Sequence, residues 1–298
     1  MTRRRLLGAT AGAAVATGLG SLATATPAAA ARTKNLFLSG QTGNLSLITP
    51  AGEMLMYYHN EWQYGGPSII GPQPRGSGWN RYGLIATSGM YGSYDNLYIG
   101  LASDGVYAYY WSQGENRWRN DGAPVWTAPR TGSWANTRLF FGGGTNQGNA
   151  NSGGTYFYTI DTAGTLYRHI YEGLPGEGGQ WSRDSGTRIG VGWDFTYVTA
   201  DTLNVFWGVK PNGDLYWYRY SGPTNGDITG WQGGTVVGTG WLGGTYGYQT
   251  VQSAGAGGLY MIDRNGDLRW NKELNYWVGE PTWQYPTGGG RILGPGWM

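Results

Sequence analysis

The residues best suited to binding chemistry in this sequence are tryptophans that follow a small residue and stand beside polar side chains. An indole face can stack on an apolar ring, and a neighbouring amide or carboxylate can hydrogen-bond polar groups at its edge. The candidate ligand-binding residues are Trp79, Asn80, Trp134, Trp193, Asp194, Trp241 and Trp297. Because a tryptophan recurs at one place in each of five similar segments, packing between segments is the stronger explanation for the tryptophans themselves.

Groups that could catalyse a reaction are sparse. The two histidines, His59 and His169, have no Gly-x-Ser-x-Gly partner, and we expect them at exposed strand positions. The chain has no cysteine, and no set of ligands has the spacing of a metal site. The sequence therefore predicts no catalytic residue, no metal and no cofactor.

The carboxylates leave a glycoside hydrolase as the least favoured alternative. Such an enzyme needs two convergent carboxyl groups, which should appear once rather than in every repeat. Six acidic residues lie at positions that recur in the repeat: Glu53, Asp104, Asp161, Asp214, Asp263 and Asp267. Five aspartates fall out of phase with it, and none of them lies in a recognisable motif: Asp95, Asp121, Asp184, Asp194 and Asp201. The sequence thus predicts a binding protein rather than an enzyme.

Two signals recur five times in the same order and position the candidates. One is a turn glycine that precedes an aromatic or apolar strand: Gly52, Gly105, Gly164, Gly213 and Gly266. The other is the small residue followed by the candidate tryptophan, which closes each copy. A further tryptophan lies between the two signals: Trp62, Trp118, Trp181, Trp231 and Trp283. Regular self-similarity at a period of about 50 residues is typical of repeat architectures.

Each repeat reads as four short strands, for example around the Asn212-Gly213 turn, which suits a two-residue hairpin. The 56 glycines fit many tight turns, and the mature chain has no helical periodicity. The sequence therefore predicts an all-β fold, a five-bladed β-propeller of four-stranded antiparallel blades at residues 32–298. The approximate blades are 35–79, 80–134, 135–193, 194–241 and 242–298.

Residues 1–31 read as a cleaved twin-arginine signal peptide. The run Arg3-Arg4-Arg5 precedes an apolar stretch and a small-residue cleavage region near Ala31. Without it, 17 basic residues face 18 acidic ones, so the pI near 8.6 derives largely from the leader. We expect a secreted, extracellular protein with no nucleic-acid partner and no membrane association after cleavage.

The closing segments 189–193, 237–241 and 293–297, together with the Asn-Gly-x-Leu strands, resemble the tachylectin-type five-bladed lectins. The resemblance covers essentially the whole mature chain and is closest in blades three to five. It implies a monomeric lectin with one shallow site per blade. The expected ligands are glycans that contain an N-acetylhexosamine, either N-acetylglucosamine or N-acetylgalactosamine. In this family the closing tryptophan is usually followed by a polar residue, and an Asp-Asn-Trp element, absent here, comes earlier in each repeat. Because a polar residue follows Trp79 and Trp193, the sites implied first are Trp79 with Asn80 and Trp193 with Asp194.

A propeller that binds a protein partner, as an inhibitor or surface scaffold, is the other binding function open to this sequence. Such a propeller would present one asymmetric apolar patch, whereas a lectin would present similar aromatic and polar pockets around its rim. The repeated aromatic positions favour the lectin.

Overall fold

The computed structural model describes residues 32–89, 95–135, 138–144, 155–173, 178–222, 228–286 and 289–298. These residues form β-strands joined by turns and a few single-turn 3-10 helices, with no α-helix in the ranges given. The proposed signal peptide, and residues 145–154 of the glycine-rich stretch, lie outside the described residues.

The strands form five antiparallel sheets in chain order. The first sheet contains β1 (Leu36–Ser39), β2 (Asn44–Ile48), β3 (Met54–His59) and β4 (Ile69–Pro74). The second contains β5 (Leu84–Gly89), β6 (Asn96–Leu101), β7 (Val106–Ser112), β8 (Arg117–Trp118) and β9 (Trp126–Ala128). The third contains β10 (Arg138–Gly144), β11 (Thr155–Ile160), β12 (Leu166–Glu172), β13 (Gln180–Trp181) and β14 (Thr187–Gly190).

The two remaining sheets follow the same pattern. The fourth contains β15 (Tyr197–Ala200), β16 (Val205–Val209), β17 (Leu215–Tyr220) and β18 (Trp231–Gly238). The fifth contains β19 (Thr250–Gly255), β20 (Gly258–Ile262), β21 (Leu268–Asn275), β22 (Glu280–Trp283) and β23 (Arg291–Gly294). In the second, third and fifth sheets the outermost strand is split into two segments that pair with the same neighbour. The predicted five-bladed β-propeller of four-stranded antiparallel blades is confirmed.

The first strands of the blades, β1, β5, β10, β15 and β19, are neighbours in ring order and surround a central channel with a cavity of about 200 Å³. The side chain of Gln41 crosses this channel. Its Nε2 donates to the carbonyl oxygen of Ala200 in blade 4 at 2.9 Å, although blades 1 and 4 are not adjacent. Gln41 is 4% exposed, so this hydrogen bond between two non-adjacent blades is buried in the centre of the ring.

The ring closes through side chains rather than through a strand shared by the two chain ends. The Gln252 amide in β19 accepts from the Ser39 N–H and donates to the Phe37 carbonyl, both at 2.6 Å, as a strand backbone would. Trp297, near the C-terminus, packs on Phe37 and Tyr57 of blade 1. Polar pairing inside the ring and aromatic packing outside it together join blade 5 to blade 1.

The hydrophobic core consists of five layers, each between two adjacent blades. Strand β7 illustrates the cause. Val106, Ala108 and Tyr110 are buried, while Tyr107 and Tyr109 are half-buried and pack toward blade 1. Because each blade is covered on both faces, the two alternating sets of side chains contribute to two different layers.

The two recurring sequence signals meet in space. The carbonyl of the turn glycine accepts a hydrogen bond from the backbone N–H of the closing tryptophan in four blades, at 2.9–3.1 Å. The four pairs are Gly52 with Trp79, Gly164 with Trp193, Gly213 with Trp241 and Gly266 with Trp297. These glycines have φ between +74° and +87°. Blade 2 departs from the pattern, because Trp134 donates to Thr131 and Gly105 has no positive φ.

Two details of the repeat differ from the sequence prediction. The turn is not a two-residue hairpin: only Gly213 has positive φ, and its N–H donates to Lys210 three residues earlier. Trp62 lies between the two signals in the sequence but does not occupy the strand position that the second tryptophan takes in the other blades. Strand register places Ile69 opposite His59, where the other blades place a tryptophan opposite the equivalent residue. Trp62 instead lies in the β3–β4 turn and packs near Gly43.

Candidate binding clefts between the blades

The closing tryptophans lie between blades rather than on the open surface. Trp79, Trp193, Trp241 and Trp297 are 5–7% exposed, and Trp134 is half-buried. Each ring packs on aromatic side chains of the following blade, or on blade 1 in the case of Trp297. Packing is therefore a structural role of these residues, and any ligand would meet their edges rather than a free ring face.

Each closing tryptophan except Trp297 packs on the recurring tryptophan in the outer strand of the next blade. The ring centroids are 4.8–5.8 Å apart in the pairs Trp79–Trp118, Trp134–Trp181, Trp193–Trp231 and Trp241–Trp283. In three pairs the outer indole Nε1 also donates to the carbonyl of the residue four positions before the closing tryptophan. These donors are Trp118 to Arg75 and Trp283 to Val237 at 2.7 Å, and Trp231 to Ile189 at 2.5 Å.

The blade 1–2 cleft, about 350 Å³, lies beside the first of these pairs. Its principal walls are Arg75, Ser77, Trp79, Arg81, Tyr109 and Trp118. Tyr82 also lines it, and the hydroxyls of Tyr82 and Tyr109 share a 2.5 Å hydrogen bond. The cleft therefore combines aromatic walls with two arginines, of which Arg81 is half-exposed and Arg75 is buried with its guanidinium on the Trp111 ring.

The blade 4–5 cleft, about 410 Å³, occupies the equivalent place three blades further on. Its principal walls are Thr239, Trp241, Tyr246, Asn271, Trp283 and Tyr285. Asn271 stands at the strand position that Tyr109 holds in blade 2. Its side chain is engaged with the backbone of Tyr285 through bonds of 3.1 and 3.2 Å. No side chain that lines this cleft is charged.

Backbone donors are common to the two clefts. Ser77 and Gly78 precede Trp79 in one, and Thr239 and Gly240 precede Trp241 in the other. Within the described residues, the N–H groups of these four positions donate to no protein acceptor. Each cleft thus offers free amide donors beside aromatic walls, which is the combination that holds a ligand with hydroxyl or carbonyl oxygens on an apolar ring.

The remaining predicted site residues lie elsewhere. Neither cleft includes Asn80, Trp134, Trp193, Asp194 or Trp297 in its walls. Asn80 covers the β2–β3 turn, where a Cβ on Gly52 would come within 2.7 Å of its side chain. Asp194 is 76% exposed in its side chain and lies 3.9 Å from Lys210 Nζ. Tyr82, Tyr246 and Tyr285 were not among the predicted residues, because the clefts depend on which strand faces which neighbour.

The blade 2–3 interface has a histidine where the blade 1–2 cleft has Tyr109. His169 stacks on Trp134 with ring centroids 3.7 Å apart, and its Nε2 lies 2.9 Å from Thr159 Oγ1. Burial lowers the pKa of His169 to about 3, so it is neutral near pH 7. The expectation of exposed histidines is wrong: His169 and His59 are both 0% exposed, because both faces of a blade are covered.

Two buried carboxylates, Asp201 and Asp263, are hydrogen-bonded within the fold and line neither cleft. Asp201 accepts from the N–H groups of Thr202 and Gly257, and burial raises its pKa. Asp263 is also buried. Burial would raise its pKa, but the Arg269 guanidinium and two backbone amides outweigh that effect and lower it. In the described part of the chain, no group of three histidine, cysteine, aspartate or glutamate side chains is arranged to hold a metal ion.

Exposed apolar side chains concentrate on the β21–β22 hairpin. Leu274, Trp277 and Val278 are 43–48% exposed there. A protein-binding propeller would present a local concentration of exposed apolar side chains of this kind. In the part of the chain that the structure describes, no helix is long and apolar enough to cross a membrane.

No protein-family model and no curated protein matches the sequence. Among solved structures, the WD40 domain of SCAP from fission yeast aligns with 79% of this chain and 49% of its own, at 10% identity and a TM-score of 0.40. This chain therefore spans about half the length of that one. A mutant of AofleA from Arthrobotrys oligospora aligns over 87% of this chain and 74% of its own, at 13% identity and a TM-score of 0.47.

A mutant of Aleuria aurantia lectin in complex with alpha-methyl-L-fucoside aligns over 84% of this chain and 75% of its own, at 11% identity and a TM-score of 0.45. Similarity at this level carries no argument about function or ligand. The case for a function rests on the geometry of the clefts.

Proposed function

We propose that this chain is an exported, monomeric carbohydrate-binding protein of the tachylectin-like type, which recognises glycans in clefts between its blades. The observation that carries the proposal is the recurrence of one arrangement at two interfaces. Trp79 with Trp118, and Trp241 with Trp283, each stand beside free backbone donors. Sugar rings have apolar C–H faces that suit aromatic walls and hydroxyl oxygens that suit amide donors.

N-acetylglucosamine or N-acetylgalactosamine is the proposed ligand of the uncharged blade 4–5 cleft. The acetamido group has a methyl that can lie against Tyr246 or Trp283 and a carbonyl that can accept from the Thr239 or Gly240 N–H. One shallow cleft binds weakly, but two on one body can raise avidity for a glycan-bearing surface by roughly 10² or more.

The first experiment is a glycan-array screen of the full chain, followed by calorimetric titration of the best hit. The decisive variant is Thr239→Phe, which fills the blade 4–5 cleft from an exposed position outside the strands. Thr235→Phe adds the same bulk on the exposed strand β18, outside the walls of both clefts, and serves as the control. Binding to an N-acetylhexosamine that Thr239→Phe abolishes and Thr235→Phe retains would support the proposal. A blank array with folded protein would overturn it.

Protein binding through the β21–β22 hairpin is the second candidate, because the hairpin carries three exposed apolar side chains, Leu274, Trp277 and Val278. Its test is the variant Trp277→Ser with Val278→Ser. If a partner recovered from the native secretions binds the wild type but not this variant, while the array stays blank, the protein-binding function replaces the lectin. Unchanged recovery of the partner would remove this candidate.

A further inference from the structure

The two clefts share a scaffold but differ in charge, and this difference points to two kinds of sugar. The present inference rests on the proposed carbohydrate-binding function and concerns the chemistry of the ligand. Among the residues that the structure describes, no charged side chain lines the blade 4–5 cleft, whereas Arg75 and Arg81 both line the blade 1–2 cleft, which has no carboxylate in its described walls.

Arg75 is a buried cation that has no anion. It is 8% exposed, and its guanidinium lies 4.1 Å from the centre of the Trp111 ring. It donates to the Pro74 carbonyl at 3.3 Å and to the side-chain oxygen of Gln73, which are both neutral acceptors. Its buried Nε has no acceptor, and among the described residues no carboxylate forms an ion pair with it. Burial of a guanidinium without a counterion is costly, so the positive charge of Arg75 would favour an anion bound in the adjacent cleft.

Arg81 is the more accessible of the two arginines. Its side chain is 49% exposed and lies 3.3 Å from Asp104, which is 53% exposed. Ion pairs this exposed contribute only about 0–1 kcal/mol, so a ligand carboxylate can replace or share the Asp104 contact at little cost. The guanidinium also lies 4.7 Å from the centre of the Tyr107 ring, which orients it without neutralising it.

A third guanidinium adds to the positive potential at the same interface. Arg32 donates to the carbonyl oxygen of Trp79 at 3.4 Å and to that of Tyr82. Three cations therefore surround the closing segment of blade 1, while Asp104 is the carboxylate paired with them in the described residues. The free N–H groups of Ser77 and Gly78 contribute further donors on the same side of the cleft.

We propose that the blade 1–2 cleft binds a saccharide unit that carries a carboxylate, a hexuronic acid, with the carboxylate held by Arg81 and further stabilised by the positive charge of Arg75 in the cleft wall. A guanidinium matches a planar carboxylate in a way that it does not match a hydroxymethyl group. The sugar ring then lies along Tyr109 and the edge of Trp118, as in the uncharged cleft. The chain would thus bind a glycan that contains both neutral and acidic units, with each kind of unit in a different cleft.

The test compares two ligands that differ only at carbon 6. Methyl β-D-glucuronide has a carboxylate where methyl β-D-glucoside has a hydroxymethyl group. Calorimetric titration of the full chain at neutral pH should give a Kd for the glucuronide about tenfold or more below that for the glucoside. Raising NaCl from about 50 mM to about 500 mM should reduce this preference, because salt screens partly exposed charges.

Three variants locate the effect. Arg81→Gln keeps the fold and should lower the preference to about threefold or less, because it removes one hydrogen-bonded charge. Ser77→Phe should weaken glucuronide binding by about tenfold or more by filling the cleft, while Thr235→Phe should leave it unchanged. Circular dichroism and thermal unfolding of each variant verify folding.

The outcomes separate this inference from the proposed function. Equal affinity for the two ligands, or a preference that survives Ser77→Phe, overturns the acidic-sugar assignment. If N-acetylhexosamine binding in the blade 4–5 cleft is still found, the proposed function stands without it. If neither the array sugars nor the glucuronide bind folded protein, both fail together.

Discussion

The blade 1–2 and blade 4–5 clefts show which parts of a repeat are fixed by the fold and which parts are free to vary. In both clefts a closing tryptophan packs on an outer tryptophan, whose Nε1 donates to a carbonyl of the preceding blade at 2.7 Å. The strand residue between them is Tyr109 in one and Asn271 in the other, and only one cleft contains arginines. Packing thus conserves the indole pair, while the cleft can change size and charge without loss of the blade interface.

The largest expected difference between the two clefts concerns stability. Trp79→Ala and Trp241→Ala each remove a buried indole and should lower the free energy of unfolding by about 3–5 kcal/mol. Among the described residues, Tyr82, Tyr98, Tyr109 and Trp118 pack on Trp79, whereas Tyr248 and Trp283 pack on Trp241, so Trp79→Ala should cost more. Urea unfolding followed by circular dichroism measures both. A cost below about 1 kcal/mol for either would contradict the packing role.

The blade 2–3 interface gives a third form of the same strand position and a pH test. The pKa of His169 falls from 6.5 to about 3 on folding, so between these values the unfolded chain binds a proton that the folded chain excludes. Stability should therefore fall as pH falls below 6.5, by roughly 1.4 kcal/mol per pH unit and about 2 kcal/mol at pH 5.

His169→Asn, which places the blade 5 residue type in blade 3, should remove that contribution. Chemical unfolding at several pH values, compared between wild type and variant, isolates it, because His59 is present in both proteins. If the difference between the two proteins does not change from pH 7 to pH 5, then His169 is not excluded from protonation.

The turn glycines test whether the two clefts share one scaffold. Gly52→Ala and Gly213→Ala place a side chain at φ near +87°, which costs about 1–2 kcal/mol, and the new Cβ meets the closing segment. Gly78→Ala and Gly240→Ala carry the same kind of strain, but their Cβ atoms meet nothing within 4 Å. Thermal unfolding should show a greater loss for the first pair. Equal losses would mean that the closing segment moves away from the new Cβ without a cost in stability.

The smallest expected effect concerns ligand choice. Ser77→Phe and Thr239→Phe change equivalent exposed positions, and each should weaken only the ligand of its own cleft by about tenfold or more, which corresponds to about 1.4 kcal/mol. Titration of both variants with N-acetylglucosamine and methyl β-D-glucuronide gives the four values required. Loss of both ligands in one variant would mean that the clefts do not act separately.

The sequence predicts the blade count and the strand content because both recurring signals are local. A glycine with positive φ and a tryptophan after a small residue can each be recognised without knowledge of their partners. The bond between them, from the Trp79 N–H to the Gly52 carbonyl, depends on how the closing segment returns over the turn. Register has a similar effect: proximity in sequence suggests Trp62, but pairing across the sheet selects Ile69.

The clefts are harder to predict, because their walls come from two blades. Of the predicted site residues, Trp79 and Trp241 line the clefts, whereas Asn80 packs over Gly52 instead. Arg75 gives no signal in the sequence, since nothing there indicates that a basic residue will be buried on Trp111 without a carboxylate. Alternation along a strand also misleads for His169, because both faces of a propeller blade are buried.

The most direct test of carbohydrate binding between the blades is a crystal structure of the chain with its best array ligand. We expect electron density for a sugar in the blade 4–5 cleft, in contact with Trp283 or Tyr246 and within hydrogen-bond distance of the Thr239 or Gly240 N–H. Sugar bound only outside the two clefts, for example along Trp277, or no bound sugar at saturating concentration, would contradict the proposed site.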